Sequence, residues 1–241
     1  MAGRTLRFLP GTRPVRASYR TSPNAISRYD ALQIDLLCAS LGDGDFAMDI
    51  GTHAGQHALI MAWLCGQKGK VIAFEPDYHA RKLLARNIGL NPGIAPPKVE
   101  TIALSDRNGT ATLYSRGGDA NSSLSLQSLS REPIEGVEQF EVPVCRFDDY
   151  LCDNGLPMPK FVKIDTEGAE IRILMGAESL LASDAEIVCE LHPYAWEGFG
   201  NSLAELEAIL ARFNRQMRYL DEKHPLVGAP VYGVVLLERK S

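Results

Sequence analysis

Phe46-Ala-Met-Asp-Ile-Gly-Thr-His-Ala-Gly55 decides the fold of this chain. Its first five residues form a short apolar run that ends at a glycine, and Ala54–Cys65 then reads as a helix. Working outward from that turn, the same unit recurs. Lys70-Val-Ile-Ala-Phe-Glu75 is a second apolar strand, followed by a helix over Tyr78–Leu90 that Asp77 caps. Val99–Leu104 reads as a third strand. Phe161-Val-Lys-Ile-Asp165 leads into a helix from about Gly168, and Glu186–Leu191 is a further strand. Leu203, Leu206, Ile209, Leu210 and Phe213 share one helical face, and Ser202 with Glu205 forms a capping box at its start. Val231–Glu238 closes the chain as a strand. Continuous apolar strands alternating with helices predict an α/β fold with a mostly parallel sheet covered on both faces. Thr110–Ser115 and Gln139–Val144 break that rhythm. Their alternating faces predict a β-hairpin inserted after the third strand, over about residues 109–145, with the polar stretch Gly117–Ser130 between them. The predicted organisation is an N-terminal arm and helix over 1–44 and one domain over 45–241.

The composition suits such a domain. Of 241 residues, 45% are hydrophobic and 23% charged, which excludes a chain disordered as a whole. No apolar run is long enough to span a membrane, and none near the start makes a signal peptide. Five cysteines, odd in number and without a Cys-x-x-Cys, predict reduced thiols and a cytoplasmic location. The net charge of −5 argues against nucleic acid as the main partner. Arg4, Arg7, Arg13, Arg16, Arg20 and Arg28 all precede the first acidic residue, Asp30. They read as an exposed arm or as a flap over an anionic ligand. Nothing in the sequence sets an oligomeric state.

Four motifs carry chemistry. In Asp49-Ile-Gly51-Thr52-His53-Ala-Gly55 a glycine turn lets a ligand approach the backbone at a helix N-terminus. Position 53 is histidine, so this is not the Gly-x-Gly-x-x-Gly of a dinucleotide site. An acid two residues before the glycine suits a ligand with a positive amino group. Glu75, followed by Pro76, ends the next strand, where a carboxylate can accept from both hydroxyls of a ribose. Asp165 and Glu167 end the strand across the switch point and are expected to face the crevice; for Glu170 a helix-surface or structural role weighs equally. Glu190 and His192 lie on one strand face, where the histidine is either a base or a hydrogen-bonded structural residue.

Together these residues resemble a known family. Asp-x-Gly-x-x-x-Gly at 49–55, Phe-Glu-Pro at 74–76, Ala-Leu-Ser-Asp at 103–106 and Lys-Ile-Asp-x-Glu-Gly-Ala-Glu at 163–170 are similar to the FkbM family of S-adenosylmethionine-dependent methyltransferases. The resemblance runs from about Asp45 to Tyr219. It implies the Rossmann-like class I methyltransferase fold, with a seven-stranded sheet whose last strand is antiparallel, and O-methylation of a sugar or secondary-metabolite hydroxyl. Many members carry Ala-Asn where this chain has Thr52-His53.

The residues and the resemblance agree on a site. Asp49 and Gly51, with Thr52, His53 and Gly55, suit the amino end of S-adenosylmethionine. Glu75 and Pro76 suit its ribose, and Leu104 and Asp106 its adenine. Asp165 is expected to line the methyl-transfer site and His192 to take the acceptor proton, with an ordinary imidazole near pH 6.5. Asn121, Ser122 and Glu167 are expected beside a small hydroxylated acceptor, with Gly117–Ser130 as a mobile cover. Asp165, Glu190 and His192 are an acceptable hard-ligand set, but no metal-specific spacing supports them and a metal is not favoured. A nicotinamide oxidoreductase and a non-catalytic module that keeps the fold are the competing readings.

Overall fold

The computed structural model describes residues 5–12, 25–117, 122–126, 136–221 and 232–240, with the side chains of 25–30 left aside. Helix α1 (Ala25–Ser40) precedes β1 (Phe46–Ile50), α2 (Gln56–Cys65), β2 (Lys70–Phe74) and α3 (Tyr78–Gly89). Then come β3 (Lys98–Glu100), β4 (Ala103–Ser105), β5 (Gly109–Ser115), β6 (Glu138–Arg146) and α4 (Phe147–Asp153). Strand β7 (Phe161–Ile164) is followed by α5 (Glu170–Met175), α6 (Glu178–Ala182) and β8 (Glu186–Leu191). A 3₁₀ turn (Trp196–Phe199), α7 (Leu203–Arg212), β9 (Arg215–Tyr219) and β10 (Gly233–Arg239) complete the order.

Seven strands form one sheet in the order β3-β2-β1-β7-β8-β10-β9. Strands β1, β2, β3, β7 and β8 pair in parallel, and β10 is antiparallel to both its neighbours. Alternation along the strands splits the core in two. Met48, Ile50, Val162 and Ile164 pack with α4–α7, while Ala47, Val71, Phe161 and Val188 pack with α1 and α2. Helices on both faces explain why these strands read as continuous apolar runs. Both expected caps are present: Asp77 accepts from His79 and Ala80, and Ser202 with Glu205 forms the full capping box.

The region after α3 differs from its reading. Val99–Leu104 is not one strand. It breaks at Thr101–Ile102, leaving β3 on the edge of the main sheet and β4 in a second sheet of order β4-β6-β5. Strands β5 and β6 pair antiparallel over Gly109–Ser115, but they do not stand apart as a hairpin, because β4 adds to β6 in parallel. Strand β9 went unread because Arg215-Gln-Met-Arg-Tyr219 carries charges. Its Arg215 is buried, and the guanidinium donates to the carbonyls of Leu181, Ser183 and Leu237.

Near the N-terminus, Arg7 and Leu9 donate backbone N–H groups to the Asn91 and Asn87 side chains, clasping residues 5–12 to α3. Arg4, Arg13, Arg16 and Arg20, and the Arg28 side chain, fall outside the described residues. No helix among the described residues is long and apolar enough to cross a membrane. All five cysteines are free thiols.

Candidate functional site

The carboxyl ends of β1, β2 and β7 open onto one cleft. Gly51, His53, Glu75 and Pro76 form one wall, Asp165, Thr166 and Glu167 the other. Phe74, Ile102, Leu104 and Leu113 supply apolar surface, and Ser122, Ser123 and Leu124 close one side.

The first wall is made of backbone. Gly51 sits at φ 81°, and a Cβ there would lie 1.7 Å from the Asp165 carbonyl oxygen, so only glycine lets β1 and β7 turn side by side. Gly55, also left-handed, leads into α2 where a Cβ would meet Leu84 at 2.2 Å. His53 between them is left-handed too, at φ 48°. That conformation aims its N–H at Glu75 Oε2, 2.7 Å away, while Asp77 N–H reaches Oε1 at 2.9 Å. Each Glu75 oxygen keeps a further lone pair for the cleft. Burial pushes the Glu75 carboxyl up to about 7 despite those two bonds.

Asp49 stands elsewhere than expected. It is 1% exposed and does not line the cleft; its Oδ2 accepts from Thr52 Oγ1 at 2.6 Å, so both residues brace the turn from beneath. Burial raises the Asp49 carboxyl, with Lys163 pulling the other way. Leu104 lines the cleft, but the Asp106 carboxylate is held by Arg172 Nη1 at 2.7 Å. Thr52 and Gly55 shape the turn without lining the cleft.

The second wall is made of side chains from distant segments. Lys163, 2% exposed, donates to Asp165 Oδ2 at 2.7 Å. Burial opposes the Asp165 charge, but Lys163 and His192 together hold its carboxyl below the usual range. His192 Nδ1 lies 2.8 Å from Glu170 Oε1, and its Nε2 faces Glu167 at 3.5 Å and Asp165 at 3.9 Å. Glu170 is fully buried at the start of α5 and also accepts from Gly168 N–H and Trp196 Nε1. Glu170 is therefore structural, and it sits under His192. Tyr194 donates to Glu167 at 2.8 Å, and Tyr232 donates to Glu190 Oε1.

This enclosure corrects the expected imidazole. Burial pushes His192 down, but the Glu170 hydrogen bond and the Glu170, Glu167 and Asp165 charges outweigh it and carry the ring up to about 10. At neutral pH His192 is an imidazolium, 1% exposed, with no room to accept a proton. Glu190 goes the other way: burial first, then the Asp165 charge, raise it to about 7. The ligand atoms of Asp165, Glu190 and His192 come within 4.8 Å of one another, although the Lys163 ammonium already occupies one Asp165 oxygen.

The stretch expected to cover the site is partly described. Asn121 lies outside the described residues. Ser122 Oγ donates to Asp77 Oδ2, Ser123 Oγ to the Glu167 carbonyl and Ser125 Oγ to the Gly198 carbonyl. Ser123 also exchanges backbone bonds with Tyr114. Residues 122–125 thus bridge the cap of α3 to the β7 wall.

Lys163 is what sequence reasoning missed. A lysine inside an apolar strand was the available signal, since lysines are almost never buried without a partner.

Comparison with known proteins places this geometry. The hexuronic acid methyltransferase AglP of Haloferax volcanii is 28% identical over 160 residues, 66% of this chain and 61% of AglP. The 2-O-methyltransferase NoeI of Sinorhizobium fredii is 26% identical over 153 residues, 59% of this chain and 61% of NoeI. The chain thus spans about three fifths of each relative. The crystal structure of methyltransferase FkbM from Methylobacillus flagellatus shares the fold, with a TM-score of 0.52 and 15% identity, covering 88% of this chain and 52% of that one. The model of the methyltransferase FkbM domain matches residues 49–220, from the Asp49 turn to the end of β9. Spanning both walls of the cleft and most of the sheet, that match places the chain in the methyltransferase FkbM domain family.

Proposed function

We propose that the chain transfers the methyl group of S-adenosylmethionine to a hydroxyl of a sugar or secondary metabolite. The observation that carries this reading is Glu75, buried at the end of β2, with both oxygens fixed by backbone N–H groups and the residue lining the cleft. That is the acceptor pair a ribose diol needs, beside apolar surface from Ile102 and Leu104 that suits an adenine. Asp165 stands across the cleft, at the methyl end. Asp49 acts from below by holding the Gly51 turn, and His53 by its N–H to Glu75. The domain over 45–241 carries the chemistry, and Ser122 with Glu167 faces the acceptor.

When bound, S-adenosylmethionine supplies an electrophilic methyl group, so the chain's part is alignment and exclusion of water. An alcohol acceptor must also lose a proton. His192 is already protonated and serves as a buried positive brace for Asp165 and Glu167. Glu190, raised to about 7 chiefly by burial, lies behind Asp165 and does not line the cleft, so no base is assigned. The names of NoeI and AglP support a hydroxylated or carbohydrate acceptor. The balance of 25 basic and 30 acidic residues supports a small molecule over a nucleic acid. No metal is assigned.

Calorimetry with S-adenosylhomocysteine and NAD, followed by tritium transfer from labelled S-adenosylmethionine to a panel of sugars and hydroxylated metabolites, tests the proposal. Binding of S-adenosylhomocysteine alone, with label in an ether product, is expected. Binding of NAD alone, or of neither, overturns it.

A further inference from the structure

The buried ammonium of Lys163 is shared by carboxylates of three strands. Asp49 on β1 is its direct register partner, Asp165 lies two residues along β7, and Glu190 lies two residues beyond its β8 partner, Val188. Asp49 and Glu190 point to the α1–α2 side of the sheet, because residues two apart on a strand share a face, and Asp165, one residue past β7, bonds the Lys163 ammonium. Asp165 is bonded at 2.7 Å, and Asp49 and Glu190 both lie within electrostatic reach. From α2, His57 faces the same charge, and burial together with Lys163 pushes its imidazole down to about 3. His192 meets the cluster from beyond β8, through Asp165.

The chemistry of transfer gives this cation a task. The sulfur–methyl bond breaks and its electron pair stays on sulfur, while an oxygen–methyl bond forms and the acceptor proton leaves. The ligand at the methyl position therefore changes from cation to neutral thioether. A bare carboxylate beside that position binds the cation more tightly than the charge-dispersed transition state, which lowers KM and kcat together.

We propose that Lys163 is a specificity-determining residue for ligand charge: by offsetting Asp165 from behind, it keeps the cleft from over-binding the cationic methyl donor relative to the neutral product. This rests on the reading that Asp165 stands at the methyl end of a bound S-adenosylmethionine.

The test is an affinity ratio, measured by calorimetry at pH 8. Sinefungin carries a protonated amine where the donor carries its methyl sulfonium, and S-adenosylhomocysteine carries a neutral sulfur; the two are otherwise alike. Damage to the fold weakens both and leaves their ratio unmoved. Lys163→Met is expected to shift the ratio toward sinefungin on the order of 10-fold. Lys163→Arg, which keeps the charge, is expected to hold it near wild type. Should Lys163→Met not fold, the comparison of Asp165→Asn with Lys163→Met/Asp165→Asn, a neutral pair, replaces it; the double variant is expected to favour sinefungin more. A ratio unchanged or shifted toward S-adenosylhomocysteine in these comparisons overturns the proposal. A wild-type protein that binds neither ligand takes down the donor-site reading along with it. One that binds both, with a ratio indifferent to Lys163, takes down this inference alone.

Discussion

The two walls of the cleft are built by different means. The β1–β2 wall is held by backbone: left-handed residues at 51, 53 and 55, and two N–H groups that fix Glu75. The β7–β8 wall is held by side chains, with Lys163 paired to Asp165 two residues on, and Glu170 paired to His192 and Trp196 more than twenty residues on. Backbone geometry fails all at once when its glycine changes and hardly notices a side chain. A network of buried charges fails wherever one partner is removed, because the other is left uncompensated.

Removing Glu170 attacks the second wall at its base. Glu170→Ala strands the His192 imidazolium and the Trp196 N–H, and should destabilise the fold by about 3–5 kcal/mol in urea unfolding. A loss under 1 kcal/mol would make the wall backbone-held like the first. Gly51→Ala is the matching insult to the first wall. It should cost about 3 kcal/mol of stability and abolish S-adenosylhomocysteine binding, through overpacking against the Asp165 carbonyl at a positive φ. Retained binding would show that the turn adapts.

Glu75→Ala removes a ligand group and leaves the turn in place. S-adenosylhomocysteine affinity should fall about 10–100-fold, as expected for charge-assisted bonds worth roughly 1.5–3 kcal/mol each. In the wild type that affinity should weaken as pH falls through about 7, where Glu75 takes up a proton; a Glu75→Gln variant should lack that limb. The second wall should answer pH in the opposite range. The folded pKa of His192 is raised from 6.5 to about 10, so its stabilising contribution is complete below pH 6.5 and is lost as pH rises through about 10. Melting temperatures from pH 6 to 10.5 should therefore decline on the alkaline side, and less steeply in His192→Gln. Thr52→Ala, which removes one side-chain bond beneath the first wall, should cost only about 1 kcal/mol by the same unfolding measurement.

The same contrast governs what could be read in advance. The turn at Gly51, the Asp77 cap, the Ser202–Glu205 box and β8 are local, and their residues sit side by side in the chain. Glu75 follows from its place at a strand end. Glu170 was ambiguous because an acid in the first turn of a helix is as comfortable on the surface as beneath a histidine, and only the β8 extension decides. His192 was read with an ordinary pKa because the three carboxylates that protonate it come from another loop and helix. Thr101–Ile102 carries no proline or glycine, so nothing local announces that the chain leaves one sheet there for another. Asp106 is paired with Arg172, sixty-six residues on, a partner that nothing local in the sequence announces.

Strand β6 of the small sheet is locked on one side to β4 and on the other to β5, so both ends of the segment that joins β5 to β6 are anchored whatever lies between. Doubling the length of such a connection costs only about 0.6 kcal/mol in closure entropy. Under the proposed function, an insertion or deletion in this connection alters the side of the cleft closed by Ser122 and Ser123 and leaves the Gly51 turn and Glu75 as they are.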